Sequence, residues 1–262
     1  MKKTPISALP EGTPEHIQRM ASGCKLFDSS SSPEAMTVFI RKDEGFYLKI
    51  SSSGSLLREW EMTKYFHSKG LGAKVLDYYS SDGKDYLLTE SVRGDDCTHK
   101  KYLDDPRRLC DILSSTLRSL HETSFDGCPV KNRMESYLDL VDENYKKDLF
   151  SLDFSAFDKP FENKEAAYAF LNEGRSLLKN EVLLHGDYCL PNIILDDWNF
   201  SGFIDLGNGG VGDRHVELFW GIWTLNFNLG TNKFRERFLD GYGRDLIDEY
   251  KIKLIATAEI FG

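Results

Sequence analysis

A chain of 262 residues with 40% apolar content is long enough for one large domain or two lobes with separate cores, and too apolar for general disorder. Acidic residues outnumber basic ones by 42 to 33, a net charge of −9, and with no Lys/Arg-rich stretch the summed field repels a nucleic-acid backbone. A cationic small substrate suits that field, although mild acidity is also ordinary among soluble proteins.

In chain order, the N-terminus carries Lys2 and Lys3 but no apolar run after them. The longest apolar stretch, Leu218 to Leu229, is broken by Thr224, Asn226 and Asn228. Neither a signal peptide nor a membrane span is expected, and the expected location is cytoplasmic. Residues 1–35 mix Pro, Gly and Ser and read as an irregular lead-in. Residues 36–41 and 46–50 are β-rich and flank Lys42-Asp43-Glu44-Gly45, a hairpin pattern. A second strand pair is expected at 74–79 and 86–92 around Ser81-Asp82-Gly83-Lys84. Between the pairs, 56–67 reads as a helix closed by Lys69-Gly70.

At Arg93-Gly94 the pattern changes to mainly helical, which places a lobe boundary between 1–92 and 93–262. Asp105-Pro106 is an N-cap and first-turn pair. Leu109, Leu113, Leu117 and Leu120 then follow at helical spacing. Further helices are expected near 133–147, 165–179, 214–227, 233–240 and 245–260, with β-like runs only at 182–204. Cys24, Cys97, Cys110, Cys128 and Cys189 are odd in number and never form C-x-x-C, so reduced thiols are expected rather than disulfides or a zinc site.

Two groups of residues carry chemistry. Glu59 shares a helical face with Leu56, Met62 and Phe66, so it either pairs with a cation or turns to solvent beside Trp60 and Glu61. The nearest candidate partner is Lys49, in the otherwise apolar strand Phe46-Tyr47-Leu48-Lys49-Ile50. Such a Lys–Glu pair can fix nucleotide phosphates. The second group is Asp187, Asn192 and Asp205, at the ends of short apolar runs and expected to converge. Phosphoryl transfer needs a carboxylate beside the attacking hydroxyl, and a carboxylate with an amide oxygen to hold magnesium, in this order along a chain. His185, two residues before Asp187, is expected to anchor the loop. No G-x-x-x-x-G-K-[ST] loop, G-x-S-x-G elbow or H-x-x-x-H pair occurs.

The run from Leu183 to His215, LLHGDYCLPNIILDDWNFSGFIDLGNGGVGDRH, resembles the signature region of the aminoglycoside 3'-phosphotransferases. The likeness extends over most of the chain through the Lys49 strand, the Glu59 helix, LLTESV, Gly127-Cys128-Pro129 and Glu259-Ile260-Phe261. The H-G-D-x-x-x-x-N core alone is shared with choline, homoserine and fructosamine kinases. Cys-Leu-Pro-Asn and Phe-Ser-Gly-Phe-Ile-Asp favour the aminoglycoside branch. The resemblance implies a bilobal α+β protein-kinase-like fold, with a small antiparallel-sheet N-terminal lobe holding one key helix and a larger, mainly helical C-terminal lobe. It implies transfer of the γ-phosphoryl of ATP or GTP, with Mg2+, to the 3'-hydroxyl of a cationic aminoglycoside, giving antibiotic resistance. No nucleic acid, membrane or obligate protein partner is implied.

By the same resemblance Asp187 accepts the hydroxyl proton and Asn192 with Asp205 holds magnesium. Lys49, positioned by Glu59, contacts the phosphates, Ser32 covers them, and Glu90, Ser91 and Val92 meet the purine. Glu259 and Phe261, with Asp158 in an acidic segment, take the substrate. Asn208, Glu217, Ala258 and the extra Gly262 depart from the family pattern, all at positions expected to choose or position the substrate. The rival readings are a kinase for another amino-alcohol or sugar and a catalytically silent nucleotide-binding regulator.

Overall fold

Side-chain alternation and turn residues build the first sheet. The computed structural model describes residues 3–152 and 161–262. Its first elements are β1 (Thr4–Ile6), α1 (Glu15–Ala21), β2 (Lys25–Asp28), β3 (Met36–Arg41), β4 (Phe46–Ser52), α2 (Leu57–Ser68), β5 (Val75–Ser81), β6 (Lys84–Glu90) and the short β7 (Asp95–Asp96). Six of these strands form an antiparallel sheet in the order β1-β2-β3-β4-β6-β5. At the β3–β4 turn Asp43 and Gly45 take left-handed φ values of 50° and 99°, the conformation that Asp tolerates and Gly favours.

One sheet face, with Val38, Ile40, Leu48 and Ile50, packs on Ile17 and Ala21 of α1. The period of two therefore sends Thr37, Tyr47 and Lys49 to the opposite face. The first 35 residues, expected to be irregular, instead supply β1, α1 and β2. The apolar residues Ile17, Ala21 and Leu26 are what this part of the chain contributes to the core.

The chain continues through α3 (Lys100–Leu103), α4 (Pro106–Glu122), α5 (Arg133–Lys146), α6 (Lys164–Gly174) and β8 (Val182–Leu184). The carboxylate of Asp105 caps α4 by accepting from the Arg108 N–H at 3.3 Å, and Leu109, Leu113, Leu117 and Leu120 form its buried stripe. A hairpin of β9 (Ile193–Asp196) and β10 (Asn199–Phe203) follows. Last come β11 (Gly210–Gly212), which pairs with β8, then α7 (His215–Leu229), α8 (Arg235–Tyr242), α9 (Glu249–Ala258) and a 3-10 turn, Glu259–Phe261. No helix among the described residues is long and apolar enough to cross a membrane.

The chain divides into two units, Met1–His99 with Pro191–Asn208, and Lys100–Leu190 with Gly209–Gly262. This differs from the expected boundary between 92 and 93. β9 pairs with β7, the Cys97 N–H donates to the Ile193 carbonyl at 3.1 Å, and the Phe203 N–H donates to the Leu71 carbonyl at 2.8 Å, so the later hairpin is stitched into the first unit. Gly94 allows that approach: at φ 116°, a Cβ there would lie 2.2 Å from the Leu195 carbonyl oxygen.

The corner between β11 and α7 is fixed by a buried carboxylate. Asp213 accepts from the Lys179 N–H (2.9 Å), the His215 N–H (3.0 Å) and His215 Nδ1 (2.5 Å), and pairs with Lys251 at 3.2 Å. Burial raises its pKa, but the His215 ring and the backbone N–H groups outweigh it and hold the carboxyl down at about 2. With the folded value below the unfolded one, the resulting stability is present above about pH 4 and is lost as pH falls toward 2. Between pH 6 and pH 2.5 in urea titrations, the native protein is expected to lose roughly 1.5 kcal/mol more than Asp213→Asn. Equal losses would contradict this assignment.

Candidate active site

The period-two pattern of β4 aims Lys49 away from the apolar core and toward a cavity within the first unit. Its ammonium lies 2.7 Å from Glu59 Oε2 and 2.8 Å from Asp205 Oδ1. The open choice for Glu59 is thus resolved as pairing: its side chain is 11% exposed and Met62 and Phe66 on the same helix are buried. Burial works against the charge on Lys49, but the two carboxylates outweigh it and keep its pKa above the ordinary value. Burial also pushes the Glu59 carboxyl up, opposed by Lys49. Asp205, 46% exposed, remains reachable by a ligand.

Asn192 and Asp205 line the same cavity, tied through the Ile204 N–H, which donates to the Asn192 carbonyl at 3.1 Å. Asp205 adopts φ 60°, a left-handed conformation that turns the chain directly after the hairpin. Ser32, Glu90 and Val92 also line it, together with Thr37, Tyr47, Leu87 and Thr89 on the inner sheet face. Ser91 is not among the lining residues; its N–H donates to the Gly45 carbonyl at 2.9 Å, which holds the strand end. Ser29, not anticipated from the sequence, also borders the cavity, and its buried hydroxyl has no hydrogen-bond partner among the described residues.

Asp187 belongs to the second unit, on a loop in which each neighbour is pinned. The Gly186 N–H, at φ 91°, donates to Glu217 Oε1 at 2.8 Å, and the Asp187 N–H donates to Nδ1 of the fully buried His185 at 3.2 Å. The Tyr188 hydroxyl donates to the Leu113 carbonyl at 2.7 Å, and the Leu190 N–H donates to Thr224 Oγ1 at 3.1 Å. Burial and the Asp187 charge push the Cys189 thiol up, so it stays protonated and can donate to Asp187. His185 thus holds the loop backbone, as expected.

Glu217 corrects another expectation. Expected where substrate is chosen or positioned, it is instead fully buried and bridges the Gly186 N–H to His121 Nε2 at 2.9 Å. His121 Nδ1 in turn meets the Tyr242 hydroxyl at 2.8 Å. Neither His121 nor Tyr242 was anticipated. The signal for this pair was the same as for Glu59: an acid in an apolar helix, Val216-Glu217-Leu218-Phe219, must have a partner.

Glu259, in the terminal 3-10 turn, accepts from the Tyr137 hydroxyl at 2.6 Å and from Trp220 Nε1 at 3.2 Å. Burial raises its pKa, and the nearby Asp187 charge adds to the rise while Tyr137, Trp220 and Arg133 oppose it. Phe261 is not a surface residue for substrate: its ring is fully buried among Tyr145 and Tyr168, and its carbonyl accepts from Asn144 Nδ2 at 2.7 Å. Its large apolar area is satisfied by the core, and it anchors the turn that carries Glu259. Asp158 lies outside the described residues.

The chain matches the phosphotransferase enzyme family over residues 26–252. It is 49% identical over 252 residues to a probable aminoglycoside 3'-phosphotransferase of Lactococcus lactis, covering 96% of each chain. To an aminoglycoside 3'-phosphotransferase of Niallia circulans it is 32% identical over 223 residues, 82% of this chain and 83% of the relative. Among solved structures, a type VIII aminoglycoside 3'-phosphotransferase superposes with a TM-score of 0.73 at 21% identity, covering 94% of this chain and 97% of the other. An aminoglycoside phosphotransferase of Streptomyces rimosus, solved with ADP and streptomycin, gives 0.71 at 22% identity over 86% and 90%. The fold is the bilobal α+β kinase-like fold, and the chain belongs to the phosphotransferase enzyme family as one of the aminoglycoside 3'-phosphotransferases.

Proposed function

We propose that the protein transfers the γ-phosphoryl group of ATP or GTP, with Mg2+, to the 3'-hydroxyl of a kanamycin- or neomycin-like aminoglycoside. The observation that carries this reading is Lys49 held between Glu59 and Asp205 at the wall of a cavity that also contains Asn192. Lys49 would pair with the nucleotide phosphates, and Glu59 would keep its ammonium on that side. Ser32 would cover the phosphates, while Glu90 to Val92 would face the purine. The Ser29 hydroxyl, buried with no hydrogen-bond partner among the described residues, supports a bound polar ligand, because a nucleotide could supply that bond.

Asn192 and Asp205 fit magnesium. Both are hard oxygen donors, and this ion is usually held by one or two protein ligands together with substrate phosphates. When bound, it would neutralise charge on the phosphates during transfer. Asp187 would orient the acceptor hydroxyl and take its proton, on a loop whose neighbours are already fixed. Glu259 would receive a substrate ammonium, and Asp158 is a second acidic candidate for the same task. With ATP or GTP as donor the reaction belongs in the cytoplasm. Replacing a drug hydroxyl by a phosphate dianion would cancel charge needed for RNA binding, and resistance would result.

The test uses acceptors with and without a 3'-hydroxyl. Kanamycin is expected to be phosphorylated and cells expressing the protein to survive it. 3'-Deoxy aminoglycosides are expected to give neither turnover nor survival. Equal protection against both would overturn transfer to the 3' position.

A further inference from the structure

Helix α7 sets Thr224 and Asn228 one turn apart, behind the Asp187 loop. A threonine hydroxyl has one hydrogen to give and two lone pairs to share. Both lone pairs of the buried Thr224 Oγ1 are taken: the Leu190 N–H donates to it at 3.1 Å and Asn228 Nδ2 at 3.3 Å. Asn228 Nδ2 also donates to the Thr224 carbonyl at 2.8 Å, and because a carbonyl can only accept, that bond fixes which end of the amide faces the hydroxyl.

The Thr224 hydrogen is therefore left for its other neighbour, the half-buried Cys189 thiol, which accepts from Thr224 and donates to the Asp187 carboxylate. The Cys189 N–H donates to the Asp187 carbonyl at 2.8 Å, a tight turn that folds residue 189 back beside residue 187. The direction of the relay is thus set at its far end. Asn228 donates to Thr224, Thr224 to Cys189 and Cys189 to Asp187, so every hydrogen points toward the carboxylate.

Proton transfer requires one carboxylate oxygen to face the attacking hydroxyl within hydrogen-bond reach. A donor held against the carboxylate from the protein side occupies one lone pair and stops the group from turning about its last bond. Holding the loop backbone requires Thr224 only to accept from Leu190; the hydrogen it directs at Cys189 serves the carboxylate. We propose that Thr224 is a positioning residue for the reaction, holding the Asp187 carboxylate in the orientation that accepts the proton by way of the Cys189 thiol. This rests on the reading of Asp187 as the proton acceptor.

The test begins with Cys189→Ala, which keeps the backbone turn and removes the thiol link. With kanamycin as acceptor, kcat is expected to fall about tenfold, with KM for kanamycin and for the nucleotide within about twofold of native. Cys189→Ser keeps a donor and an acceptor and is expected to recover most of the loss. Thr224→Val is expected to lose at least as much, Thr224→Ser to stay near native, and the Thr224→Val, Cys189→Ala double variant to be no slower than Thr224→Val alone. Native kcat in Cys189→Ala, or losses that multiply in the double variant, would overturn the relay. Crystal structures of the native and Cys189→Ala proteins separate this inference from the choice of acceptor. A carboxylate turned about its Cβ–Cγ bond in the variant upholds the orientation whatever the acceptor, and an unmoved one sinks it. Native turnover in Asp187→Asn would instead remove the reading beneath it.

Discussion

Asp187→Asn is expected to lower kcat by about 10³-fold, within the range of a lost general base. The substitution keeps the size and one acceptor oxygen, so the Cys189 thiol retains a partner and the loop keeps its backbone bonds to Glu217, His185 and Thr224. Nucleotide affinity should change less than threefold, because the residues bordering the cavity proposed for the nucleotide all belong to the other unit. Steady-state kinetics with kanamycin and equilibrium binding of ATP or GTP read the two effects separately. Turnover within tenfold of the native rate would remove Asp187 from the proton-accepting role.

Glu217→Ala is expected to damage both stability and rate. Its carboxylate is fully buried and accepts from two groups, so truncation leaves the Gly186 N–H and His121 Nε2 without it. Removing one partner of a buried pair costs about 3–5 kcal/mol. Released at Gly186, the loop would hold Asp187 less closely, and a displacement of the order of 1 Å can cost about 10²-fold in rate. The expected result is a loss of about 3 kcal/mol in urea unfolding with kcat reduced about 10²-fold and the nucleotide KM unchanged. Glu217→Gln keeps the acceptor for Gly186 and should recover at least half of both losses. A stability loss with native kcat in the surviving folded protein would make Glu217 structural only.

What the sequence conveyed depended on the range over which each signal acts. Helix α4 was legible because Asp105, Pro106 and the leucine spacing are all local. The β3–β4 hairpin was legible because its turn residues lie beside its strands. Lys49 and Glu59 are ten positions apart and stood out as a charge in an apolar strand and an acid on an apolar helix face. By contrast β1 and β2 have three and four residues, too short for alternation to emerge from a Ser- and Pro-rich background. The His121–Glu217 pair spans 96 positions and the Tyr137–Glu259 bond 122, and nothing local joins their members. The β9–β10 strands were visible as apolar runs, but their attachment to the two-residue β7 was not. Phe261 was misplaced because an aromatic residue near a chain end gives no sign of whether its ring turns inward.

The backbone at Asp205 has a consequence for how such a protein drifts. At φ 60° the chain there would suit glycine or asparagine at least as well as aspartate, and the carboxylate is held mainly by Lys49, itself already paired with Glu59. With Asp205 46% exposed, folding therefore gains only modestly from the acid at this position. If Asp205 holds magnesium as proposed, a lineage no longer exposed to its substrate could exchange it without losing its architecture, and its retention would mark continued use.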